Sequence, residues 1–340
     1  MGNGRWNITM KVYNEQSDRV ISEKLTEILT EIRKNRNFNA KNYIEEKTDL
    51  LNKYMSKSRL SACVIAISGG IDSAVVLGIV NKASKKENSP IKKIIPMLLP
   101  ILKSTGVTNQ NEATKRGKEL CEKMGLKPYV IDLTSINEEI RKNLEPVIGI
   151  KGENWAIGQL GPYSRTPVLY YTTSLLNQAG YGSIICGTTN KDEGTYLGYI
   201  GKASDGMVDL QIISDIHKSE VYRVAKELGI PKSIMEVTPS GDMYDSRTDE
   251  TVFGASYDFV ELYLNYLNMT EEEKNKLIYS LDKESKEQFD FYAKNLENLH
   301  RYNLHKYIAK SPAVHLDLYD SSVKGGWDNY YEITKKWLEE

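Results

Sequence analysis

Residues Ala62–Val76 read ACVIAISGGIDSAVV, and this stretch is the one around which the chain is organised. Its first five residues are apolar and typical of a buried strand, SGGIDS at 68–73 predicts a turn, and an apolar helix begins near Ala74. A helix N-terminus offers unpaired backbone N–H groups, and Gly69 and Gly70 have no Cβ to keep an anion away. We therefore expect a phosphate group to bind at this turn.

The polar residues of the turn indicate what accompanies the phosphate. Ser68 and Ser73 add hydroxyl donors, and the Asp72 carboxylate makes sense beside a phosphate if a divalent cation lies between them. The turn has neither the lysine of G-x-x-x-x-G-K-[ST] nor the three-glycine spacing of the dinucleotide fingerprint. It resembles instead the S-G-G-x-D-S loop of the ATP pyrophosphatases, which split ATP into AMP and pyrophosphate while adenylating a substrate. An ordinary glycine turn is the alternative for so short a motif.

Composition limits the class of protein. The 340 residues are 40% apolar and 27% charged with a formal net charge of −1, which is typical of a soluble globular chain of one or two domains. Without a basic excess, nucleic acid is not expected as a partner, and no apolar run reaches the roughly 20 residues that span a membrane. We expect a cytoplasmic protein in which Cys63, Cys121 and Cys186 are buried free thiols rather than zinc ligands.

The order of predicted elements indicates the fold. Residues 1–36 form an N-terminal helical extension, and its amphipathic helix could cover the core or a partner subunit. A second predicted helix, about Asn39–Ser56, precedes the first strand. Strands at Ile91–Leu99 and Tyr129–Leu133, with a helix at about Thr108–Met124 between them, complete a βαβαβ order. The prediction is an α/β, doubly wound, mostly parallel sheet with helices on both faces and helical additions at both termini. Such a fold binds ligands at the carboxyl ends of its strands.

The middle of the chain is rich in glycine and proline. Glu145–Pro167 has weak periodicity and is predicted to be a long loop, followed by a helix at Val168–Gln178 and a strand at Ser183–Gly187. That strand ends in the polar residues TTNKDE at 188–193, where we expect chemistry. Glu193 is a candidate second carboxylate for the magnesium that Asp72 begins to hold.

Lys218 heads a predicted helix, where its charge opposes the helix macrodipole. This unfavourable placement indicates a ligand anion nearby, although an exposed lysine at a small energetic cost is the alternative.

The segment 187–250 resembles the ammonia-dependent NAD synthetases. It contains, in order, GTTNKDE (187–193), a lysine before D-G, Asp209, a lysine heading a helix, LGIP (228–231), PSGD (239–242) and Asp249-Glu250. His305-Lys306 resembles a further His-Lys element of that family. The resemblance extends from about Asn39 to the C-terminus, so residues 37–340 are assigned to one NAD synthetase-like ATP pyrophosphatase domain of the adenine nucleotide alpha hydrolase-like fold.

The resemblance implies roles for individual residues. The implied catalytic residues are Asp72, Glu193 and Lys218, of which Asp72 and Glu193 are implied Mg²⁺ ligands. ATP contacts are implied for Ser68, Gly69, Gly70, Asp72, Ser73, Thr188, Lys218 and Ser240. Contacts with the acceptor are implied for Arg165, Lys202, Asp209, His305 and Lys306, the last two on a mobile closing loop. The lone histidines His217, His300 and His315 are expected to be satisfied residues at the surface or at helix ends.

Departures from the family pattern cluster around the acceptor. The family's A-R-x-R-M appears as SRTPV at 164–168, so Pro167 replaces the second arginine. One extra residue precedes Lys202, Ile212 replaces a proline, and P-T-A-D is PSGD. A related carboxylate such as nicotinate mononucleotide therefore stays open as the acceptor.

The resemblance implies a ligase that forms a C–N bond. It would amidate nicotinate adenine dinucleotide to NAD with ATP and ammonia, through an acyl-adenylate with release of AMP and pyrophosphate. About 60 residues precede the ATP loop, which is too few for an amidase domain, so free ammonia is expected as the donor, or ammonia from a separate glutaminase. The family implies a homodimer with the acceptor at the interface. Another adenylating ligase, or a nucleotide-binding regulatory protein without turnover, is the competing interpretation.

Overall fold

A computed structural model describes residues 20–102, 110–241, 247–306 and 314–324, with the isolated positions 326, 331–332, 335 and 339. The first nineteen residues of the predicted N-terminal extension lie outside the described residues. In chain order the helices are α1 (Glu23–Arg36), α2 (Ala40–Lys57), α3 (Ile71–Ser84), α4 (Gln110–Lys123), α5 (Thr134–Ile148), α6 (Asn154–Gln178), α7 (Lys191–Gly194), α8 (Lys218–Glu227), α9 (Lys232–Met235), α10 (Asp249–Phe253), α11 (Tyr257–Asn268), α12 (Glu271–Tyr279) and α13 (Lys283–Asn303). The strands are β1 (Ala62–Ala66), β2 (Lys93–Leu98), β3 (Tyr129–Val130), β4 (Ser183–Gly187), β5 (Leu210–Gln211) and β6 (Val314–His315).

The strands form one parallel sheet in the order β3-β2-β1-β4-β5-β6. Ala62 of β1 is in register with Lys93 of β2 on one side and with Ser183 of β4 on the other. The chain therefore winds outward in one direction from β1 to β3 and in the other from β4 to β6. The carboxyl ends of β1 and β4 meet at the point where the strand order reverses, which is where such sheets bind ligands.

Strand β1 is buried on both faces, as its continuous apolar run predicts. Cys63 and Ile65 pack into a core with α2, α3 and α8, whereas Val64 faces the opposite side and packs near Leu169 of α6. This alternation follows from the two-residue period of a strand. Helices cover both faces, so the predicted doubly wound α/β fold is confirmed.

The helix predicted in the N-terminal extension is α1, and it covers part of the molecule's own core. Ser22 caps its start by accepting a hydrogen bond from the Leu25 backbone N–H. Leu25 and Leu29 are buried in a second hydrophobic cluster with residues of α11 and α13. A domain boundary at residue 36 stays a prediction.

The prediction of a long loop at Glu145–Pro167 is wrong. The segment forms the end of α5 and the first half of α6, and Pro162 and Pro167 lie inside α6. Each proline removes one helical hydrogen bond, but tertiary contacts offset the loss. Ser164 and Leu169 are buried, and the Arg165 Nε donates to the Leu99 carbonyl at 3.1 Å.

Two further predictions concern the burial of the cysteines and the presence of helices that could span a membrane. Cys63, Cys121 and Cys186 are buried free thiols, as predicted. Among the helices of the described residues, none has both the length and the apolar character needed to cross a membrane.

Candidate active site

The SGGIDS turn connects β1 to α3 and has the geometry of an anion site. Gly69 has φ +77°, a left-handed conformation, and a Cβ on it would lie 2.4 Å from the Ala113 carbonyl oxygen. Gly70 is the N-cap of α3 and provides no side-chain cap. The Ser73 hydroxyl donates to the Gly70 carbonyl at 3.0 Å and lies 3.1 Å from the Ser68 hydroxyl. The first backbone N–H groups of α3 are therefore left for a ligand anion.

Three charged side chains from three helices meet beside this turn. The Lys218 Nζ donates to Asp72 Oδ2 at 2.6 Å and to Glu193 Oε1 at 2.7 Å. Asp72 lies in the first turn of α3, Glu193 in α7 after β4, and Lys218 at the start of α8. The structure thus brings together the three residues that the sequence predicts as catalytic.

Burial and neighbouring charges together shift the pKa values in this cluster. Burial acts to lower the pKa of Lys218, but the Asp72 and Glu193 carboxylates outweigh it and raise that pKa well above its usual range. Burial raises the pKa of Glu193 to about 7, opposed by Lys218 and assisted by the carboxylates of Asp72 and Asp249. The Lys218 ammonium thus faces the carboxyl groups of Asp72, Glu193 and Asp249.

Sequence reasoning missed the side chains that hold these carboxylates. The Tyr257 hydroxyl lies 2.6 Å from Glu193 Oε1 and 2.9 Å from Asp249 Oδ2, and the Tyr199 hydroxyl donates to Asp249 Oδ1 at 3.0 Å. A phenol has only one proton to donate. Both Tyr257 contacts can therefore be hydrogen bonds only if one of the two carboxyls is protonated and donates to the phenol oxygen. Asp249 belongs to the Asp-Glu pair that the sequence offered as a signal, whereas Tyr257 had no local signal.

Asn190 links the two predicted metal ligands. Its Nδ2 donates to Asp72 Oδ1 at 2.9 Å, and its Oδ1 accepts from the Glu193 backbone N–H at 3.1 Å as the N-cap of α7. One amide therefore fixes both the Asp72 carboxylate and the backbone that carries Glu193.

A cleft of about 500 Å³ opens above the cluster at the carboxyl ends of the strands. Arg116 was not predicted, yet it lines the cleft and its Nε donates to the Gly69 carbonyl at 3.0 Å. Predicted site residues that line the cleft are Ser68, Gly70, Asp72, Ser73, Thr188, Glu193, Lys218, Ser240 and Arg165.

The other predicted site residues are not among those that line this cleft. Gly69 lies within the SGGIDS turn, with its backbone packed against that of Ala113. The Asp209 carboxylate accepts from the Ile185 backbone N–H at 2.7 Å, between β4 and the start of β5. Lys202 and His305 are exposed, and the Lys306 Nζ donates to the Gly198 carbonyl at 2.6 Å. Burial lowers the pKa of Lys306 to about 8. Roles for Lys202, Asp209, His305 and Lys306 toward an acceptor stay predictions.

The histidines expected at the surface or at helix ends are buried. His217 is the N-cap of α8 and lies 2.6 Å from Asp192, and His300 in the last turn of α13 lies 2.7 Å from the Tyr196 carbonyl. His315 contacts the Ser214 hydroxyl at 3.0 Å. Each has a polar partner, as expected of a structural histidine. His217 and His300 lie at helix ends as predicted, whereas His315 is buried in β6, where neither predicted location applies.

Comparisons with known proteins show which sequences this chain resembles. A family model described as NAD synthase matches residues 43–309. The NH(3)-dependent NAD(+) synthetase of Methanococcoides burtonii is 31% identical over 216 residues, which cover 64% of this chain and 75% of that protein. That of Pyrococcus horikoshii is 32% identical over 198 residues, covering 58% and 68%.

Solved structures share the fold. An NMN synthetase from Francisella tularensis matches with a TM-score of 0.63 and 23% identity, covering 81% of this chain and 99% of that one. An NH3-dependent NAD synthetase from Campylobacter jejuni matches with a TM-score of 0.57 and 23% identity, covering 79% and 96%. These structures show the fold alone, but the family model matches residues 43–309, most of the chain, and the chain therefore belongs to the NAD synthase family.

Proposed function

We propose that this protein amidates nicotinate adenine dinucleotide to NAD, with ATP and ammonia as co-substrates. The observation that carries the proposal is the Lys218 ammonium held between Asp72 and Glu193 beside the glycine turn, in a member of the NAD synthase family. The β- and γ-phosphates would bind at the N-terminus of α3, with the Ser68 hydroxyl as a donor and the Ser73 hydroxyl as another once it turns away from the Gly70 carbonyl. The Lys218 and Arg116 side chains add positive charge at the same end of the cleft.

The donor set fits Mg²⁺. Carboxylate oxygens are hard ligands, and Mg²⁺ at nucleotide sites is usually held by one or two carboxylates together with the phosphates. Asp72 and Glu193 would supply those carboxylates, and Asn190 fixes the orientation of Asp72. Bound there, the cation would neutralise charge on the phosphates.

The reaction follows in two steps. A carboxylate oxygen of the acceptor attacks the α-phosphorus of ATP, the bond from that phosphorus to the β-phosphate oxygen breaks, and pyrophosphate leaves. The ammonia nitrogen then attacks the acyl carbon, the bond to AMP breaks, and one proton is released. In the first step Lys218 and the α3 N-terminus stabilise charge on the leaving pyrophosphate, which is electrostatic catalysis without a protein nucleophile.

We further propose a homodimer that works with free ammonia or with ammonia from a separate glutaminase. An apolar face of α5 supports the dimer, since Ile136, Ile140, Leu144, Val147 and Ile148 are exposed at helical spacing along it. The three buried free thiols are consistent with the predicted cytoplasmic location.

The test is amide formation by the purified protein with ATP, Mg²⁺ and ammonium. Nicotinate adenine dinucleotide and nicotinate mononucleotide are offered in separate reactions, and AMP and the amide product are followed. We expect turnover of the dinucleotide. Turnover of the mononucleotide alone would mean that the substitutions around Pro167 mark a changed acceptor, and ATP binding without turnover of either would favour the regulatory interpretation.

A further inference from the structure

Helix α1 lies outside the residues 43–309 that match the family. Its last turn nevertheless contacts the active-site helix α8 through Arg36. Arg33 and Arg36 are separated by one helical turn, and both side chains are largely buried. Their partners are carboxylates of α8 and α11.

Arg36 holds the carboxylate that caps α8. Its Nε contacts Glu220 Oε1, and its Nη2 donates to Glu220 Oε2 and to the Asp215 carbonyl, each at 2.9 Å. Glu220 Oε2 in turn accepts from the His217 backbone N–H at 3.0 Å, as the N3 residue of a capping box. Arg36 therefore fixes the residue immediately before Lys218 and the residue two positions after it.

Arg33 acts on the same turn through a different carboxylate. Its Nε and Nη2 donate to Glu261 of α11, at 3.1 Å to Oε1 and 2.6 Å to Oε2. Glu261 Oε2 also accepts from the Ser219 hydroxyl at 2.8 Å. The residue immediately after Lys218 is thus anchored by a carboxylate that Arg33 neutralises.

Lys218 itself is fixed through its backbone. Its N–H donates to Asp192 Oδ2 at 2.7 Å, and its side chain leaves the turn toward Asp72 and Glu193. Glu220 and Glu261 are almost completely buried, so each would be a costly unpaired charge without its arginine. If an arginine were lost, a movement of the turn that carries Lys218 would reduce the cost of the unpaired carboxylate.

We propose that α1 is a positioning element of the active site, in which Arg33 and Arg36 fix the first turn of α8 and thereby hold the Lys218 Nζ at the phosphate end of the cleft. The proposal rests on the proposed function only in that Lys218 contacts ATP.

The test is a double-mutant cycle between Arg36→Gln and Lys218→Met, with ATP binding measured calorimetrically in the presence of Mg²⁺ and without an acceptor. If Arg36 acts through Lys218, Arg36→Gln should weaken ATP binding at least about fivefold when Lys218 is present and less than about twofold in Lys218→Met. Lys34→Gln is the matched control, because Lys34 lies on the exposed side of the same helix with its side chain 70% exposed.

An equal loss of affinity in both backgrounds would overturn the proposal, as would an Arg36→Gln variant that binds ATP like Lys34→Gln. Thermal unfolding identifies variants that fail to fold, and Arg36→Lys replaces Arg36→Gln if that occurs, judged by the same comparison of backgrounds. ATP binding without dinucleotide amidation would reject the proposed function, and the cycle would still decide the role of α1.

Discussion

The Asp72 side chain uses both of its oxygens, one for Lys218 and one for Asn190. Asp72→Asn keeps the shape of the side chain but removes the charge that pairs with Lys218 and that would hold Mg²⁺. We expect kcat to fall about 100-fold or more, as when one electrostatic contact to a developing charge is removed. Pyrophosphate release measures the effect, with Asp290→Asn on the exposed surface of α13 as control. Near-normal turnover in Asp72→Asn would remove Asp72 from the reaction.

Gly69 has a backbone conformation and surroundings that leave no room for a side chain. Gly69→Ala combines left-handed strain with a Cβ placed against the Ala113 carbonyl, whereas Gly125→Ala has φ +71° and open space around the new Cβ. Both should lose about 1 kcal/mol to strain. We expect Gly69→Ala to lose about 1–3 kcal/mol more in the free energy of unfolding, measured with urea, because the backbone must move. Equal losses would show that the turn has room for a side chain.

At the scale of elements, buried polar groups fasten the edge strand β6 to the sheet. The Ser214 hydroxyl donates to Asp317 at 2.7 Å and lies 3.0 Å from His315. Lys47 of α2 pairs with Asp215 at 3.0 Å, and Asp215 accepts from the Leu318 backbone N–H at 2.7 Å. Burial, assisted by Asp215, raises the pKa of Asp317 to about 7, and burial, assisted by Lys47, lowers the pKa of His315 to about 3.

These two shifts have opposite effects on stability between about pH 4 and 6.5. The folded state keeps a proton on Asp317 that the unfolded state loses, so this group makes stability fall as pH rises. The folded state excludes a proton from His315 that the unfolded state binds, so this group makes stability rise with pH. Asp317→Asn should therefore make the free energy of unfolding rise more steeply with pH than in the wild type, by about 1.4 kcal/mol per pH unit. Urea unfolding across this range measures the slope.

His315→Gln provides the opposing control for that slope. It removes the group that makes stability rise with pH, so its free energy of unfolding should fall with pH relative to the wild type. Identical slopes in the wild type and both variants would mean that neither group titrates differently in the folded and unfolded states.

Local pattern predicted some elements and failed on others for identifiable reasons. Strand β1 and helices α2 and α8 follow from apolar periodicity and capping signals, since their own sequences carry the information. The second half of α6 is the helix predicted at Val168–Gln178. The first half was missed, because two prolines and two glycines outweigh its weak periodicity, and what stabilises it is tertiary contact through the buried Ser164 and the bond from Arg165 to the Leu99 carbonyl. The local rule was overridden by tertiary packing.

At the scale of the whole molecule, the same distinction applies to the site. Asp72, Glu193 and Lys218 each follow a recognisable strand end or helix start, and the parallel sheet brings those ends together. Arg116 of α4 lines the cleft, and Tyr257 of α11 contacts Glu193 beside it. The spacing of these two residues along the chain gave no reason to expect them there. Residues that hold a site together through tertiary contacts need the structure to be found.

The proposed dimer gives the whole-molecule prediction. Val147 is 81% exposed at the end of the apolar face of α5. Such exposure is unusual where several other apolar side chains on the same face are exposed too. A charge placed there would be desolvated on docking, so Val147→Asp should weaken association at least about tenfold, since about 1.4 kcal/mol suffices for that factor. Sedimentation equilibrium of the wild type and the variant measures it, and Phe291→Asp, at an exposed apolar residue of α13, is the control. A wild-type monomer, or a Val147→Asp variant that associates as the wild type does, would place the interface elsewhere or remove it.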